Sequence, residues 1–101
     1  MKINVIKELR IINDIKQETI GIYLNYSQNR YSEIENTLKY DIDIYIKLSL
    51  LYDVNIYYLK GITNTITHLS KDTKEKIIKE YNLEKRYQEI KLEKIRYIHF
   101  K

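Results

Sequence analysis

Apolar positions recur at helical spacing in short segments along the first part of the chain. In residues 3–13 the side chains that share one face are Ile3, Val5, Ile6, Leu9 and Ile12. Residues 17–24 repeat the spacing at Ile20 and Leu24. A recurrence every three or four residues indicates an amphipathic helix with one buried face. The pattern therefore predicts two helices, with a break between them after residue 12.

A third helix is predicted at residues 28–36, and it differs because it carries so little apolar surface. Its apolar side chains are Tyr31 and Ile34, three positions apart, which gives one narrow stripe facing the core. Ser27 can cap this helix by accepting a hydrogen bond from a backbone N–H of the first turn. The turn before it contains Asn25, and asparagine tolerates the left-handed backbone conformation that a tight turn needs.

Two further helices complete the first part of the chain. Residues 42–52 predict a helix whose core-facing side chains are Ile42, Ile46, Leu48 or Ser49, and Tyr52. The alternation in IDIYI at its start also fits a strand locally, so that alternative stays open. Val54, Ile56 and Leu59 predict a short fifth helix that ends at Gly61. The predicted fold is all-α, with five short helices in one bundle.

The tail predicts one longer helix from Ser70 to about residue 97, because no proline or glycine interrupts it. Its apolar side chains fall mostly three or four positions apart: Ile77, Tyr81, Tyr87, Ile90 and Tyr97. Such a helix must bury this stripe to be stable, either on its own bundle or on a second copy of the chain. The sequence thus predicts a domain at residues 1–64 and a helical extension at 65–101 that dimerises or binds a partner.

The net charge is carried by the second part of the chain. Residues 1–61 hold eight Lys or Arg and eight Asp or Glu, whereas residues 62–101 hold ten against six. The difference accounts for the whole net charge of +4. The chain has no cysteine, no apolar run near the roughly 18 residues of a membrane span, and no apolar signal-peptide core. A cytoplasmic location without membrane contact is expected.

Patterns typical of catalysis or metal binding do not stand out in the sequence. His68 and His99 are far apart and have no cysteine or carboxylate cluster beside them, so a metal site is not expected. There is no evident nucleophile with a histidine partner and no glycine-rich phosphate loop. We therefore expect neither an enzyme nor a bound cofactor.

The polar side chains directly behind Ser27 are the strongest functional signal. A short helix, a tight turn and a second helix with little to bury form the layout of a helix-turn-helix, whose second helix enters the major groove of DNA. Glutamine and asparagine can bind adenine through two hydrogen bonds, and arginine can bind guanine or a phosphate. The sequence therefore predicts that Gln28, Asn29 and Arg30 contact DNA.

From Ile6 to Gly61 the chain resembles the helix-turn-helix domain of the phage repressor and Cro family, the xenobiotic-response-element type of transcriptional regulator. Five pieces carry the resemblance in order: LR at 9–10, QE at 17–18, YSEIEN at 31–36, IKLS at 46–49 and YDVNIYYLKG at 52–61. They span a little over half of the chain. The resemblance implies a five-helix, lambda-repressor-like DNA-binding bundle.

The resemblance also implies roles for individual positions. The base-facing surface of the third helix would consist of Ser27, Gln28, Asn29, Ser32 and Glu33. Gln17 would contact a phosphate at the start of the second helix, and Asn36 and Lys39 would contact phosphates beyond the third. Arg10 and Glu35 would form an ion pair that holds the first helix against the third.

Some positions depart from the family pattern. Lys16 stands where the family usually has a capping threonine or serine, and Asn25 and Thr37 replace two turn glycines. The loop before Ile42 is one residue shorter than usual. These differences affect the turns and leave the core pattern unchanged.

Together these inferences predict a sequence-specific double-stranded DNA-binding regulator. It would act as a repressor that inserts helix 28–36 into the major groove of an operator as a homodimer. The alternative is a protein-interaction module, such as an antitoxin or adaptor, whose C-terminal helix binds a protein partner. The basic face of the tail fits a solvated surface, the flank of a dimer helix or an extra DNA contact.

Overall fold

The computed structural model describes residues 3–98, and every regular element in that range is an α-helix. The helices are α1 Val5–Ile12, α2 Gln17–Leu24, α3 Gln28–Thr37, α4 Ile42–Tyr52, α5 Ile56–Leu59, α6 Lys71–Glu80 and α7 Glu84–Ile90. The prediction of an all-α fold is therefore confirmed for the described residues. None of these helices combines the length and apolar content that crossing a lipid bilayer requires.

Side-chain caps fix where most of these helices begin. Ser27 and Ser70 each accept a hydrogen bond of 3.1 Å from the backbone N–H three residues later. Equivalent caps are formed by Asn4, Asp41 and Asn55. A cap of this kind contributes about 1 kcal/mol, since it satisfies a backbone donor that the helix leaves unpaired. As a result, α1 begins at Val5 behind its cap, and not at Ile3 as the periodicity predicts.

Left-handed residues turn the chain between helices almost without glycine. Within residues 3–98, five non-glycine residues adopt this conformation: Asp14, Asn25, Leu38, Asp53 and Asn82. Asn25 has a φ of 64°, as expected for the turn before α3. Thr37, which the family pattern places in a turn, is instead the last residue of α3. Leu38 makes that turn with a φ of 57°, so the third helix is one residue longer than predicted.

Tyrosine is a substantial part of the core beside the aliphatic residues. Four tyrosines are fully buried: Tyr23, Tyr31, Tyr52 and Tyr58. Each aromatic ring buries a large apolar area, and a buried hydroxyl generally needs a hydrogen-bond partner. The hydroxyl of Tyr23 donates to the Lys47 carbonyl at 2.7 Å, which ties α2 to α4. The predicted inward stripe of α3 is confirmed, with Tyr31 buried and Ile34 packed partly buried against the core.

The first turn of α4 packs differently from the prediction. Ile42 is 56% exposed, so its assignment to the core is wrong. It directly follows the cap residue Asp41, where the helix is only beginning, and Ile44 and Leu51 are buried in its place. Ile46 is half-buried, and the other predicted core positions are buried: Leu48, Ser49 and Tyr52. The strand alternative for IDIYI is excluded, because the segment is helical.

The tail does not form one continuous helix, so the prediction of a helix from residue 70 to about 97 is wrong. α6 ends at Glu80, Asn82 is left-handed, and α7 begins only at Glu84. Residues 91–98 are not helical. The bend buries Leu83 completely, and that gain in apolar burial offsets the loss of helical hydrogen bonds at the break.

The apolar stripe of the tail lies against the chain's own bundle. All five predicted side chains are at least half-buried: Ile77, Tyr81, Tyr87, Ile90 and Tyr97. α6 packs on α4 and α7 packs on α2. Of the two alternatives for this stripe, the structure shows the folded-back one. A second copy could reach Ile77 or Tyr87 only after the tail had detached.

Residues 91–98, which we call the strap, connect the tail to the end of α1 and to α5. Asn13 donates from Nδ2 to the Arg96 carbonyl at 3.0 Å and accepts from the Arg96 N–H at 2.8 Å. The Ile98 N–H donates to the Tyr58 hydroxyl at 2.7 Å. The strap therefore closes the bundle across the end of α1 and α5.

Candidate nucleic-acid interface

The turn between α2 and α3 has a fixed geometry. The Tyr26 N–H donates to the Gly21 carbonyl at 2.8 Å, behind the left-handed Asn25. A Cβ at Gly21 would lie 2.9 Å from the Tyr26 carbonyl oxygen, closer than side-chain carbons approach backbone oxygens. Only glycine allows the turn to pass this close to α2. The turn thus sets the direction in which α3 leaves α2.

The outer face of α3 presents the polar side chains that the sequence assigned to DNA. Exposed side chains on this face and beside it are Ser27, Gln28, Asn29, Arg30, Glu33 and Asn36. Ser32 is half-buried, and its Oγ lies 3.5 Å from Nδ2 of Asn36. Positions 28, 29, 32, 33 and 36 fall on one side of a helix, because side chains three or four apart are neighbours. The structure therefore brings the predicted base-facing residues together on one surface.

The inner face of α3 is anchored by a buried ion pair. Arg10 donates from Nε to Glu35 Oε2 at 3.0 Å and from Nη2 to Glu35 Oε1 at 2.8 Å. Its Nη1 donates to the Ile15 carbonyl at 3.0 Å. The Glu35 side chain is fully buried, so this two-bond contact fixes the rotation of α3 against α1. The predicted pair between Arg10 and Glu35 is present.

The pKa of the Glu35 carboxyl reflects two opposing effects. Burial alone raises it, because a charged carboxylate loses hydration. Hydrogen bonds from Arg10 and Gln17 favour the charged form and bring the pKa below its ordinary value. The Tyr31 hydroxyl adds to this effect, although it makes no hydrogen bond of standard geometry. Glu35 is therefore held as a carboxylate at neutral pH.

Gln17 lies at the first position of α2 and turns its amide inward. Its Nε2 donates to Glu35 Oε1 at 3.1 Å, so it extends the ion pair to a third helix. The sequence assigned this side chain to a phosphate. The structure shows a different contact, because Gln17 links α2 to the anchor of α3, and the phosphate contact stays a prediction. The preceding residue, Lys16, makes no capping hydrogen bond, and the side chain of Gln17 is half-buried.

A shallow groove of about 490 Å³ runs beside the outer face of α3. It joins two α3 side chains, Gln28 and Asn36, to Lys7 on α1 and Lys16 before α2. Neither lysine was assigned to DNA from the sequence. Lys16 stands next to Gln17 and could have been inferred, whereas Lys7 reaches the site only because α1 packs behind α3.

The opposite side of α3 also carries cations. A depression of about 230 Å³ is lined by Arg30, Lys39 and Tyr26, together with the carboxylates of Glu33 and Asp41. The guanidinium carbon of Arg30 lies 4.5 Å from the centre of the Tyr26 ring, a distance at which cation and ring attract. Lys39 is exposed beyond the end of α3. Sequence reasoning missed Tyr26, whose only signal is its position four residues before Arg30.

A metal centre has no structural support within residues 3–98. These residues contain no group of three His, Asp or Glu side chains that could hold an ion. His68 lies beside Asp53, with 2.8 Å between its Nδ1 and the Asp53 carbonyl oxygen. His99 lies outside the described residues.

No protein-family model matches the chain, and no curated protein or solved structure is significantly similar to it. The resemblance to the phage repressor and Cro family therefore stays a prediction. The function is argued below from the geometry of α2, α3 and their surroundings.

Proposed function

We propose that the protein is a sequence-specific double-stranded DNA-binding regulator that inserts α3 into the major groove. In this proposal α2 and α3 form the helix-turn-helix, and α1 to α5 make a lambda-repressor-like bundle within residues 1–64. Residues 65–101 are an extension that packs on this bundle. The protein acts in the cytoplasm as a homodimeric repressor that occupies an operator, and it needs no cofactor.

One observation carries the proposal: exposed amide side chains project from a helix whose position is fixed. Gln28 and Asn29 lie at the start of α3, while Glu35 ties the inner face of the same helix to α1 and α2. Base recognition through two hydrogen bonds requires donors and acceptors at defined positions, and each good pair discriminates by about 1–3 kcal/mol. A rigid helix with exposed amides meets that requirement.

Cations on both sides of α3 fit the DNA backbone. Lys7 and Lys16 lie on one side of the helix, and Arg30 and Lys39 lie on the other. A helix in the major groove has phosphates of the two strands on either side, because the groove is only about 12 Å wide. Phosphate contacts position the protein, and the amides between them read bases.

The proposal is tested by selecting bound sequences from a random duplex pool and by mobility shifts with the promoter of the protein's own gene. We expect an enriched sequence that is retarded in preference to random duplex of equal length. We also expect log affinity to fall with log salt concentration, by roughly 0.9 for each phosphate contacted. Equal retention of all sequences would contradict specific recognition. DNA affinity that did not change with salt concentration would favour the protein-interaction alternative.

A further inference from the structure

One side chain of the tail reaches back to the end of α2. Arg86 lies on α7 and donates from Nη1 to the Tyr23 carbonyl at 3.1 Å, although the two residues are 63 positions apart. Tyr23 belongs to the last turn of α2, shortly before the left-handed Asn25. The tail therefore contacts α2 at the point where the chain turns towards α3.

The contacted carbonyl lies at a helix end that needs hydrogen-bond donors. The last four carbonyls of an α-helix have no partner within it, and together they carry a partial negative charge. Backbone N–H groups of the turn donate to the carbonyls of Gly21 and Ile22. The Tyr23 carbonyl accepts from Arg86, and α2 has no basic residue in its own last turn. Arg86 thus supplies both a donor and a cation at this end of α2.

The packing of α7 directs the charge of Arg86 towards α2. Leu83 and Tyr87 are buried, so α7 packs into the core on both sides of Arg86, whose own side chain is half-buried. Within residues 3–98 no carboxylate forms an ion pair with Arg86. No competing ion pair therefore draws the guanidinium away from the Tyr23 carbonyl, and a hydrogen bond from a charged donor is stronger than one between neutral groups.

Tyr23 connects this contact to the turn before α3. Its hydroxyl donates to the Lys47 carbonyl on α4 at 2.7 Å, while its own carbonyl accepts from Arg86. Residues 24–27 then lead to the start of α3. This turn passes so close to α2 that Gly21 has no room for a Cβ. A displacement of the end of α2 is therefore transmitted to the first residues of α3.

The other anchor of α3 lies too far along the helix to position its start. The buried ion pair of Glu35 is about 10 Å from Gln28 along α3, at a rise of about 1.5 Å per residue. It fixes the rotation of the helix, but its first turn also depends on where the preceding turn places it. The exposed amides of Gln28 and Asn29 are therefore positioned through the end of α2.

We propose that Arg86 is a positioning residue for DNA recognition, which holds the end of α2 and, through the turn, the first residues of α3. The inference rests on the proposed function and deepens it, because it makes α7 part of the structure that presents the reading helix. Arg86 acts through α2 and needs no DNA contact of its own. Its effect falls on specificity, since base recognition requires donors and acceptors at defined positions.

Matched variants of the full chain test the link to the turn without DNA. Arg86→Met removes the donor and the charge, Arg86→Lys keeps a cationic donor, and Lys85→Met removes an exposed charge beside it. Amide hydrogen exchange, measured by NMR, should be faster at the Tyr26 N–H in Arg86→Met, because the turn opens more often. It should be unchanged at the Tyr58 N–H, which is bound to the cap Asn55. Circular dichroism melts should show that all variants are folded at the temperature of measurement.

The same variants are then compared with DNA, through the ratio of the affinities for the selected sequence and for random duplex. Arg86→Met should lower this ratio about tenfold, as the loss of one base contact does. Lys85→Met should leave the ratio unchanged, since a lost charge weakens binding to all sequences alike. Arg86→Lys should restore most of the ratio.

The outcomes separate this inference from the proposed function. Unchanged exchange at Tyr26 in Arg86→Met would overturn the positioning role. Faster exchange with an unchanged affinity ratio, or an equal fall of the ratio in Lys85→Met, would overturn it as well. A parent that selects no sequence would refute the proposed function, and exchange at Tyr26 would still decide whether Arg86 holds the turn.

Discussion

α3 and α6 are two helices of the same length that begin in the same way and expose different side chains. Each has ten residues and a serine cap that accepts a 3.1 Å hydrogen bond from the third backbone N–H. α3 exposes amides at its start, whereas α6 exposes mixed charges: Lys71, Asp72, Glu75, Lys76, Lys79 and Glu80. Mixed charges of this kind are well solvated and carry no fixed pattern of hydrogen-bonding groups.

The inner faces of the two helices differ as well. α6 buries one apolar side chain, Ile77, whereas α3 buries Tyr31 together with the charged Glu35. A buried carboxylate with three hydrogen bonds fixes rotation as well as distance, because each bond has a preferred direction. Apolar contact is less directional. The comparison shows that α3 is fixed in rotation by polar bonds, whereas α6 is held mainly by apolar contact.

The largest expected effect comes from breaking the anchor of α3. Arg10→Met should cost about 3–5 kcal/mol of folding free energy, because it leaves Glu35 buried without its partner. The matching pair beside α6 joins Lys74 to Asp53 at 3.1 Å but is partly exposed. Lys74→Met should cost only about 0–1 kcal/mol. Urea unfolding measures both values.

The double variant Arg10→Met, Glu35→Leu is the control for this prediction. It should recover much of the loss, since no buried charge is left unpaired. If Arg10→Met and Lys74→Met unfolded at the same urea concentration, the two ion pairs would contribute equally to stability. The buried pair would then not stabilise the fold more than the partly exposed one.

The anchor of α3 also predicts that stability depends on pH. The pKa of Glu35 is lower in the folded protein than its ordinary value of 4.5, so the unfolded chain binds the proton more readily. The stability that Glu35 contributes is therefore complete above about pH 4.5 and is lost as the pH falls through the folded pKa. The loss of stability at acid pH should be smaller than the loss caused by Arg10→Met, because protonation removes the buried charge of Glu35. The melting temperature of the parent should fall more steeply between neutral and acid pH than that of the double variant Arg10→Met, Glu35→Leu. Parallel plots of melting temperature against pH would contradict the lowered pKa of Glu35.

Removing one amide from α3 should cost less and should change specificity. Gln28→Ala is expected to lower affinity for the selected DNA sequence by about 1–3 kcal/mol for each base-contacting site, and to relax preference at one position. Lys39→Ala should weaken binding to all sequences about equally, as a phosphate contact does. Lys76→Ala on α6 is the control and should leave specificity unchanged. Equal losses on selected and random DNA with Gln28→Ala would show that this helix end does not read bases.

The two serine caps should give the smallest effects and the cleanest contrast. Ser27→Ala and Ser70→Ala should each reduce stability by about 1 kcal/mol, because they remove equivalent hydrogen bonds. Only Ser27→Ala should also lower DNA affinity, since it loosens the start of α3. Paired denaturation and mobility-shift measurements would separate the two. Similar DNA affinities for both variants would remove the functional distinction between the helices.

Local features of the sequence were sufficient to locate α1 to α5 within one or two residues. The caps at Ser27 and Ser70 and the left-handed Asn25 are set by neighbouring residues, so a single sequence reveals them. The break at Asn82 could not be found in that way. It forms because Leu83 reaches the core when the chain bends, and that gain depends on contacts distant in the sequence.

The candidate site shows the same division. The exposed residues of α3 and the pair formed by Arg10 and Glu35 follow from the sequence and its resemblance. Lys7 and the inward bond of Gln17 do not, because they depend on how α1 and α2 pack behind α3. The stripe of the tail was identified correctly, but its periodicity could not decide between the chain's own bundle and a second copy.

The strap has a consequence for the order of events during synthesis. Asn13 and Arg96 are 83 positions apart and exchange two hydrogen bonds, so the end of α1 finds its partner only after residue 96 has emerged from the ribosome. Contacts between distant positions form late because a long loop must close first. Helices α1 to α5 can gather while translation continues. The contacts between the strap and the helices α1 and α5 then form in a separate, later step.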